Sequence, residues 1–250
     1  MDALAPSIIQ LLGVDFSNVS QRAVIKRLLA RPPAARFSYV VTPNADHMER
    51  LLRISLLRPI YQRAMLCLLD STLISLFANQ IGLQSPQVVN GADLTAALLP
   101  RLAGRRVAVI GMDDKDFAVL VEKFPAISFV HHCPPMGLLH DMQAFCEARD
   151  FVCDAQANFT FFALGSPVQE LLAYAVSGQN RAIGVGLCVG SAVAFAAGTA
   201  KRAPHWMRKS GLEWVHRLAQ NPRRLAGRYL LSDPRVLLAL SAAAIREKFN

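Results

Sequence analysis

Read by its apolar positions, the chain alternates short apolar runs with longer amphipathic ones as far as residue 200. Residues 8–30 predict a strand, a turn and a helix, with Ser20 as N-cap before QRAVIKRLLA and with Pro32 and Pro33 ending the helix. FSYVVTPNADHMERLLR repeats that order. An apolar β-branched run meets a turn and then a helix whose first N–H groups would point at Thr42 or Asn44. In AMLCLLDSTLISLFAN, residues 64–79, an apolar run around Cys67 leads straight into Asp70 and Ser71 before helical spacing resumes. NGAD opens another helix with Asp93 in its first turn, and GRRVAVIGMDDKDFAVLVEKF reads as strand, glycine turn and helix. ISFVHHCPPMG is a strand with a Pro-rich turn, a helix follows around 138–149, and ANFTFFALGSPVQELLAYAV gives strand, GSP loop and helix.

This alternation predicts an α/β fold: Rossmann-like, largely parallel sheets with helices on both faces. The expected division is a catalytic α/β body over 1–198, with approximate lobes 1–100 and 101–198, and a basic, helical, membrane-proximal C-terminal appendage over 199–250. Nineteen uncharged residues between Arg181 and Lys201 come close to the roughly 20 apolar residues that a membrane span needs. Four glycines among them predict instead a buried strand, a tight turn and a small-residue helix. The last apolar run, Val236 to Ile245, is too short to cross a bilayer but suits an interface.

Composition narrows the picture. With 53% hydrophobic and 18% charged residues, disorder is not expected. Nearly all of the formal +9 charge sits at the end: eleven Lys or Arg against three acids from residue 199 onward, and sixteen against fifteen before it. An anionic partner is therefore expected at the tail, where Trp206, Leu212, Trp214, Val215, Leu218, Leu225 and Tyr229 interleave with the cations in the manner of a membrane-interface segment. No nucleic-acid fold signature accompanies the charge, so nucleic acid is not an expected partner. Some of these arginines could also fold back and neutralise a substrate diphosphate. Five cysteines without paired spacing predict free thiols in a reducing compartment, and positions 1–20 lack the basic start and apolar run of a secretory signal.

Asp70 has two readings, a helix cap or a catalytic base whose pKa is set by partial burial. Asp113, Asp114 and Asp116 suit the positive end of a helix, and His131, His132 and Cys133 are adjacent rather than spaced for coordination, so no metal is expected. The loop at Gly165 can aim N–H groups at a phosphate, with Gln169 in the following first turn. Neither GxGxxG nor GxxxxGK[ST] occurs, which leaves a nicotinamide oxidoreductase resting on the α/β pattern alone.

Taken in order, VTPNADH at 41–47, the apolar run ending in Asp70, NGADL at 90–94, PPMG at 134–137, ALGSPVQE at 163–170, and KRAPHWMRKSGLEWVHRL with PRRLAGRY through 229 resemble the WecG/TagA/CpsF family of bacterial glycosyltransferases. The resemblance implies an inverting, metal-independent enzyme of surface polysaccharide synthesis at the cytoplasmic face of the inner membrane, with no cofactor. It would move N-acetylmannosamine, its uronic acid or glucuronic acid from a UDP-sugar to a polyprenyl-diphosphate-linked acceptor. It implies Asp70 as general base, Thr42 and Asn44 lining the pocket, and Gln169 contacting the nucleotide-sugar. Arg217, Arg224 and Arg228 would stabilise the departing diphosphate, a task that falls to cations when no metal serves. Gly165 and Asp93 complete the expected substrate-binding set. The donor, the lipid-linked acceptor and an anionic membrane surface are the expected partners, with a homo-oligomer left open.

The chain departs from the family pattern at four places: Ser71 where glycine follows the aspartate, Ala194 where GGSFDF has its aspartate, Gln87 where an arginine stands, and Gly227 where a tail arginine is common. These departures keep a second reading, a non-catalytic membrane-peripheral partner of another transferase.

Overall fold

The computed structural model describes residues 6–210, 212–220 and 234–246. Its first element corrects the single strand expected near residue 8. Strands β1 (Ser7–Leu11) and β2 (Val14–Asn18) form an antiparallel hairpin closed by Leu12 and Gly13, both at positive φ. Positive φ at both central positions gives a two-residue turn the twist that joins adjacent strands. The apolar run hides this turn because Leu12 carries no turn chemistry.

From there the alternation is as the apolar pattern predicts. Helix α1 (Gln21–Leu29) is capped by Ser20, whose side chain accepts from Ala23 N. Strand β3 (Ser38–Val41) leads to α2 (Ala45–Arg53), and α3 (Arg58–Gln62) to β4 (Leu66–Cys67). Then come α4 (Thr72–Gln80), α5 (Gly91–Leu98), β5 (Arg106–Gly111), α6 (Asp114–Lys123), β6 (Ser128–His132) and α7 (Met142–Ala155). The body closes with β7 (Phe159–Ala163), α8 (Val168–Ser177), β8 (Val185–Cys188) and α9 (Ala192–Ala197). Short helices α10 (His205–Lys209) and α11 (Glu213–Gln220) follow, and α12 spans 234–246.

Six strands make one parallel sheet in the order β4-β3-β8-β7-β5-β6. Strands from both halves of the body share it, since β3 pairs with β8 from Ser38↔Val185 to Val41↔Cys188. A parallel sheet buried on both sides needs apolar residues at every position, and successive residues here enter opposite layers. Tyr39, Val41, Ile110, Phe162 and Cys188 face the layer built with α2, α3, α4, α7 and α8, whereas Val40, Val109, Phe161 and Leu187 face α1, α5, α6 and α9. The glycine-rich segment 182–200 supplies β8 and α9, and among the described residues no helix is long and apolar enough to cross a membrane.

Helix α12 corrects the expectation for the last apolar run. Val236, Leu240 and Ala244, at i, i+4 and i+8, are buried in the first layer, and Arg235 donates to Glu49 Oε1 of α2 at 3.0 Å. Burying a Val or Leu side chain is worth about 1.5–3 kcal/mol, so this face is committed to the core. Leu238, Ala242 and Ile245 of the run are left exposed on the opposite side.

Candidate functional site

Because every strand of the sheet runs the same way, all the loops that follow strands emerge on one edge, the usual place for a ligand crevice in such sheets. The loops after β3 and β4 are knitted together there: Leu68 N donates to Val41 O and Asp70 N to Pro43 O, each at 2.9 Å. On the other side Val89 N donates to Leu69 O at 2.9 Å. Asp70 is thus fixed between the Thr42–Asn44 turn and the start of α5.

The carboxylate is held by that helix start. Asn90 Nδ2 donates to Asp70 Oδ1 at 2.5 Å and Gly91 N to Oδ2 at 3.1 Å, and an ionised carboxylate, which only accepts, is served by two donors. Gly91 is needed at this approach. A Cβ there would lie 3.1 Å from Thr42 Oγ1 and 3.3 Å from Asp70 Oδ2. Thr42 is itself buried and donates its hydroxyl to Cys188 O at 3.0 Å, which ties the ends of β3 and β8. Asn44 caps α2, accepting from Asp46 N and His47 N, in a reciprocal box with the His47 ring.

Farther along the edge, Gly165 is exposed, with open space where a side chain would stand. Gln169 is only 4% exposed and both ends of its amide are engaged: Oε1 accepts from Gly190 N at 3.0 Å and Nε2 donates to Glu170 Oε1 at 2.7 Å. Glu170 Oε1 also lies 3.3 Å from His47 Nε2. Burial alone would raise the Glu170 carboxyl. The His47 contact, with Gln169 and Ser166 as donors, outweighs it and holds the group below the usual range. The candidates therefore form a row over the ends of β4, β3, β8 and β7, about 14 Å long at the spacing of parallel strands.

Asp93 lies in the first turn of α5, next to the Asn90 cap. Its carboxylate takes Arg202 Nη1 at 2.6 Å, Arg202 Nη2 at 3.2 Å and Arg208 Nη1 at 2.9 Å. Burial pushes its pKa up, but the two guanidiniums more than offset this and leave it lowered. Arg202 Nη2 also donates to Asn90 Oδ1 at 2.6 Å. The expected tail cations are not placed: Arg224 and Arg228 lie outside the described residues, as does the side chain of Arg217 on α11.

Two of the four departures are readily accommodated. Ser71 has φ −154°, which any residue adopts, and its hydroxyl caps α4 by accepting from Ile74 N at 3.2 Å. Gln87 is exposed, its backbone N donating to Asn18 Oδ1. Ala194 lies inside α9, and Gly227 is outside the described residues. The acidic trio starts α6, with Asp113 Oδ1 accepting from Asp116 N at 2.8 Å. His131 stacks on Phe117 and faces the carbonyls of Gly111 and Met112, and His132 stacks on Phe151. Among the described residues no three His, Cys, Asp or Glu side chains gather as a metal site, and all five cysteines are free.

Asn90, Gly91, Arg202, Arg208, His47 and Glu170 are the site residues that sequence reasoning missed. Asn-Gly before an apolar helix was a readable cap signal for the first two. The arginines and the His47–Glu170 pair carry no local signal, since their partners lie 109 to 123 residues away.

Comparison with known proteins adds three findings. The profile of the glycosyl transferase WecG/TagA/CpsF family matches residues 9–250. The chain is 26% identical over 210 residues to an N-acetylglucosaminyldiphosphoundecaprenol N-acetyl-β-D-mannosaminyltransferase of Bacillus spizizenii, covering 81% of this chain and 78% of that protein. It is 22% identical over 225 residues to a protein of the same name from Staphylococcus aureus, covering 87% and 86%.

Proposed function

Since the chain belongs to the WecG/TagA/CpsF family of glycosyl transferases, we propose that it moves a sugar from a UDP-sugar to a polyprenyl-diphosphate-linked acceptor in surface polysaccharide synthesis. The observation that carries this reading is the Asp70 carboxylate, held at the sheet edge by Asn90 and Gly91 beside Thr42 and Asn44. The names of the relatives favour N-acetylmannosamine as the transferred sugar and a diphosphate-linked N-acetylglucosamine as its acceptor, with the uronic acids as further donors to test.

In this reading Asp70 takes the proton of the acceptor hydroxyl as that oxygen attacks the anomeric carbon. The bond to the diphosphate breaks on the opposite face, so a single displacement inverts the centre and UDP leaves. The row of loops toward Gly165 and Gln169 receives the nucleotide, and Gln169 acts there by shaping the Gly190 turn. Arg217, Arg224 and Arg228 neutralise the departing diphosphate without a metal. Trp206, 63% exposed, and the tail cations hold the enzyme to the anionic inner face of the membrane.

The test is UDP release from a panel of UDP-sugars with a defined lipid-linked acceptor. Asp70→Asn is expected to lose at least about 100-fold in turnover, the lower range for general-base catalysis. Unchanged turnover in that variant overturns the base assignment. Turnover is expected to survive chelation, and strict dependence on a divalent metal overturns the metal-free step. Absence of UDP-sugar binding by calorimetry favours a non-catalytic partner protein instead.

A further inference from the structure

The side-chain amide of Asn90 sits between two groups of opposite demand. On one side its Oδ1 accepts from Ala92 N at 3.0 Å, Asp93 N at 3.3 Å and Arg202 Nη2 at 2.6 Å, and on the other its Nδ2 donates to Asp70 Oδ1 at 2.5 Å. Turning the amide over would aim its oxygen at a carboxylate and its N–H groups at two backbone amides and a guanidinium, so only one orientation satisfies both ends. The shortest contact on the oxygen side is the charge-assisted one from Arg202.

Arg202 is well placed to set that orientation. Its side chain is 16% exposed, and its two Nη atoms straddle Asp93, so the guanidinium plane is fixed while one Nη reaches Asn90. Arg208 Nη1, 2.9 Å from the same carboxylate, docks the segment on Asp93.

We propose that Arg202 is a positioning residue for the Asp70 carboxylate, acting through the side-chain amide of Asn90. It links the basic C-terminal segment to the reacting end of the site without touching substrate. The inference rests on the reading of Asp70 as the base.

The experiment compares wild type with Asp70→Asn, Arg202→Met, Arg208→Met, Asn90→Ser and the Arg202→Met/Asn90→Ser double variant. Serine keeps the cap on α5 but removes the Nδ2 amide that donates to Asp70. Turnover is measured with UDP-N-acetylmannosamine and a short-chain polyprenyl-diphosphate N-acetylglucosamine, and the Asn90 side-chain amide is followed by 1H–15N NMR. Arg202→Met is expected to lower kcat about tenfold, as for a reacting group displaced by a fraction of an ångström, with the donor KM within about twofold. In the Asn90→Ser background it should cost less than about twofold more, because residues acting in series are not additive. The Asn90 amide signal should move in Arg202→Met and in Asp70→Asn but stay put in Arg208→Met.

Wild-type kcat in Arg202→Met, full additivity with Asn90→Ser, or an unmoved Asn90 signal would each overturn the proposal. A raised donor KM at constant kcat would do so as well, by making Arg202 a substrate contact. If Arg202→Met melts below the assay temperature, Arg202→Lys replaces it, keeping charge and stem while losing the fork. Undiminished turnover in Asp70→Asn would sink the base reading alone, and the NMR comparison would still decide whether Arg202 orients Asn90 against Asp70.

Discussion

Gly91 gives its backbone N–H to Asp70 Oδ2 at 3.1 Å, and a methyl group in place of its Hα would stand 3.3 Å from that same oxygen. The Gly91 φ is not in the left-handed region, so the backbone tolerates any residue and only the neighbours object. In Gly91→Ala, Thr42 Oγ1 and the carboxylate must each retreat by a few tenths of an ångström. A gain in helix propensity of at most about 1 kcal/mol offsets part of the crowding. We expect a melting temperature within a few degrees of wild type and turnover lower by about tenfold or more. Calorimetry beside the UDP-release assay separates the two effects, and equal losses in both would show that the glycine serves the fold alone.

Leu240 of α12 is fully buried, whereas Leu238 on the same helix is 70% exposed. Leu240→Ala should cost about 2–5 kcal/mol, the range for emptying a packed leucine site. For a chain of this size that is a fall in melting temperature of roughly 5–15 °C. Leu238→Ala should change stability by less than about 0.5 kcal/mol. A thermal scan showing no loss in Leu240→Ala would mean that α12 does not pack on the body in solution.

Acid should weaken the protein through Glu170. Its carboxyl is depressed below the ordinary 4.5, so the unfolded chain binds the proton first, and stability rises with pH across the interval from the folded value to 4.5 and is level above it. Asp93, depressed below 3.8, adds a smaller effect of the same sign because it is 42% exposed. Urea midpoints for wild type and Glu170→Gln should differ most near neutral pH and converge as the pH falls through the folded value of Glu170. A gap that widens on acidification would reverse the sign.

Binding to vesicles containing anionic lipid should weaken as salt is raised, because exposed charges are screened over about 8 Å at physiological ionic strength. Trp206→Ser should lower binding at every salt concentration, since the indole is 63% exposed and free to enter the interface. Co-sedimentation measures both, and salt-independent binding would assign the attachment to apolar insertion.

Much of this was legible in local pattern, where a residue's role depends on its neighbours in sequence. Ser20, Asn44 and Asp113 cap helices where the polar-to-apolar transitions place them, and Asp70 stands at the end of the run that forms β4. What failed was governed by distance. The Leu12–Gly13 turn had no turn residue at its first position, and the apolar face of α12 could not declare whether lipid or the protein's own core would cover it. Charge counting cannot tell Arg202 from a surface cation, because Asp93 lies 109 residues earlier.

The strand order also sets a clock during synthesis. β3 and β4 have only β8 to join them to the other strands, and Ser38 meets Val185, 147 residues later. At about 5–20 residues per second on the ribosome, these two strands wait roughly 7–30 s with one side unpaired. The site carried by Thr42 and Asp70 is thus among the first parts made and the last to be completed, and nascent-chain chaperones are expected to matter most while residues 38–70 stand alone.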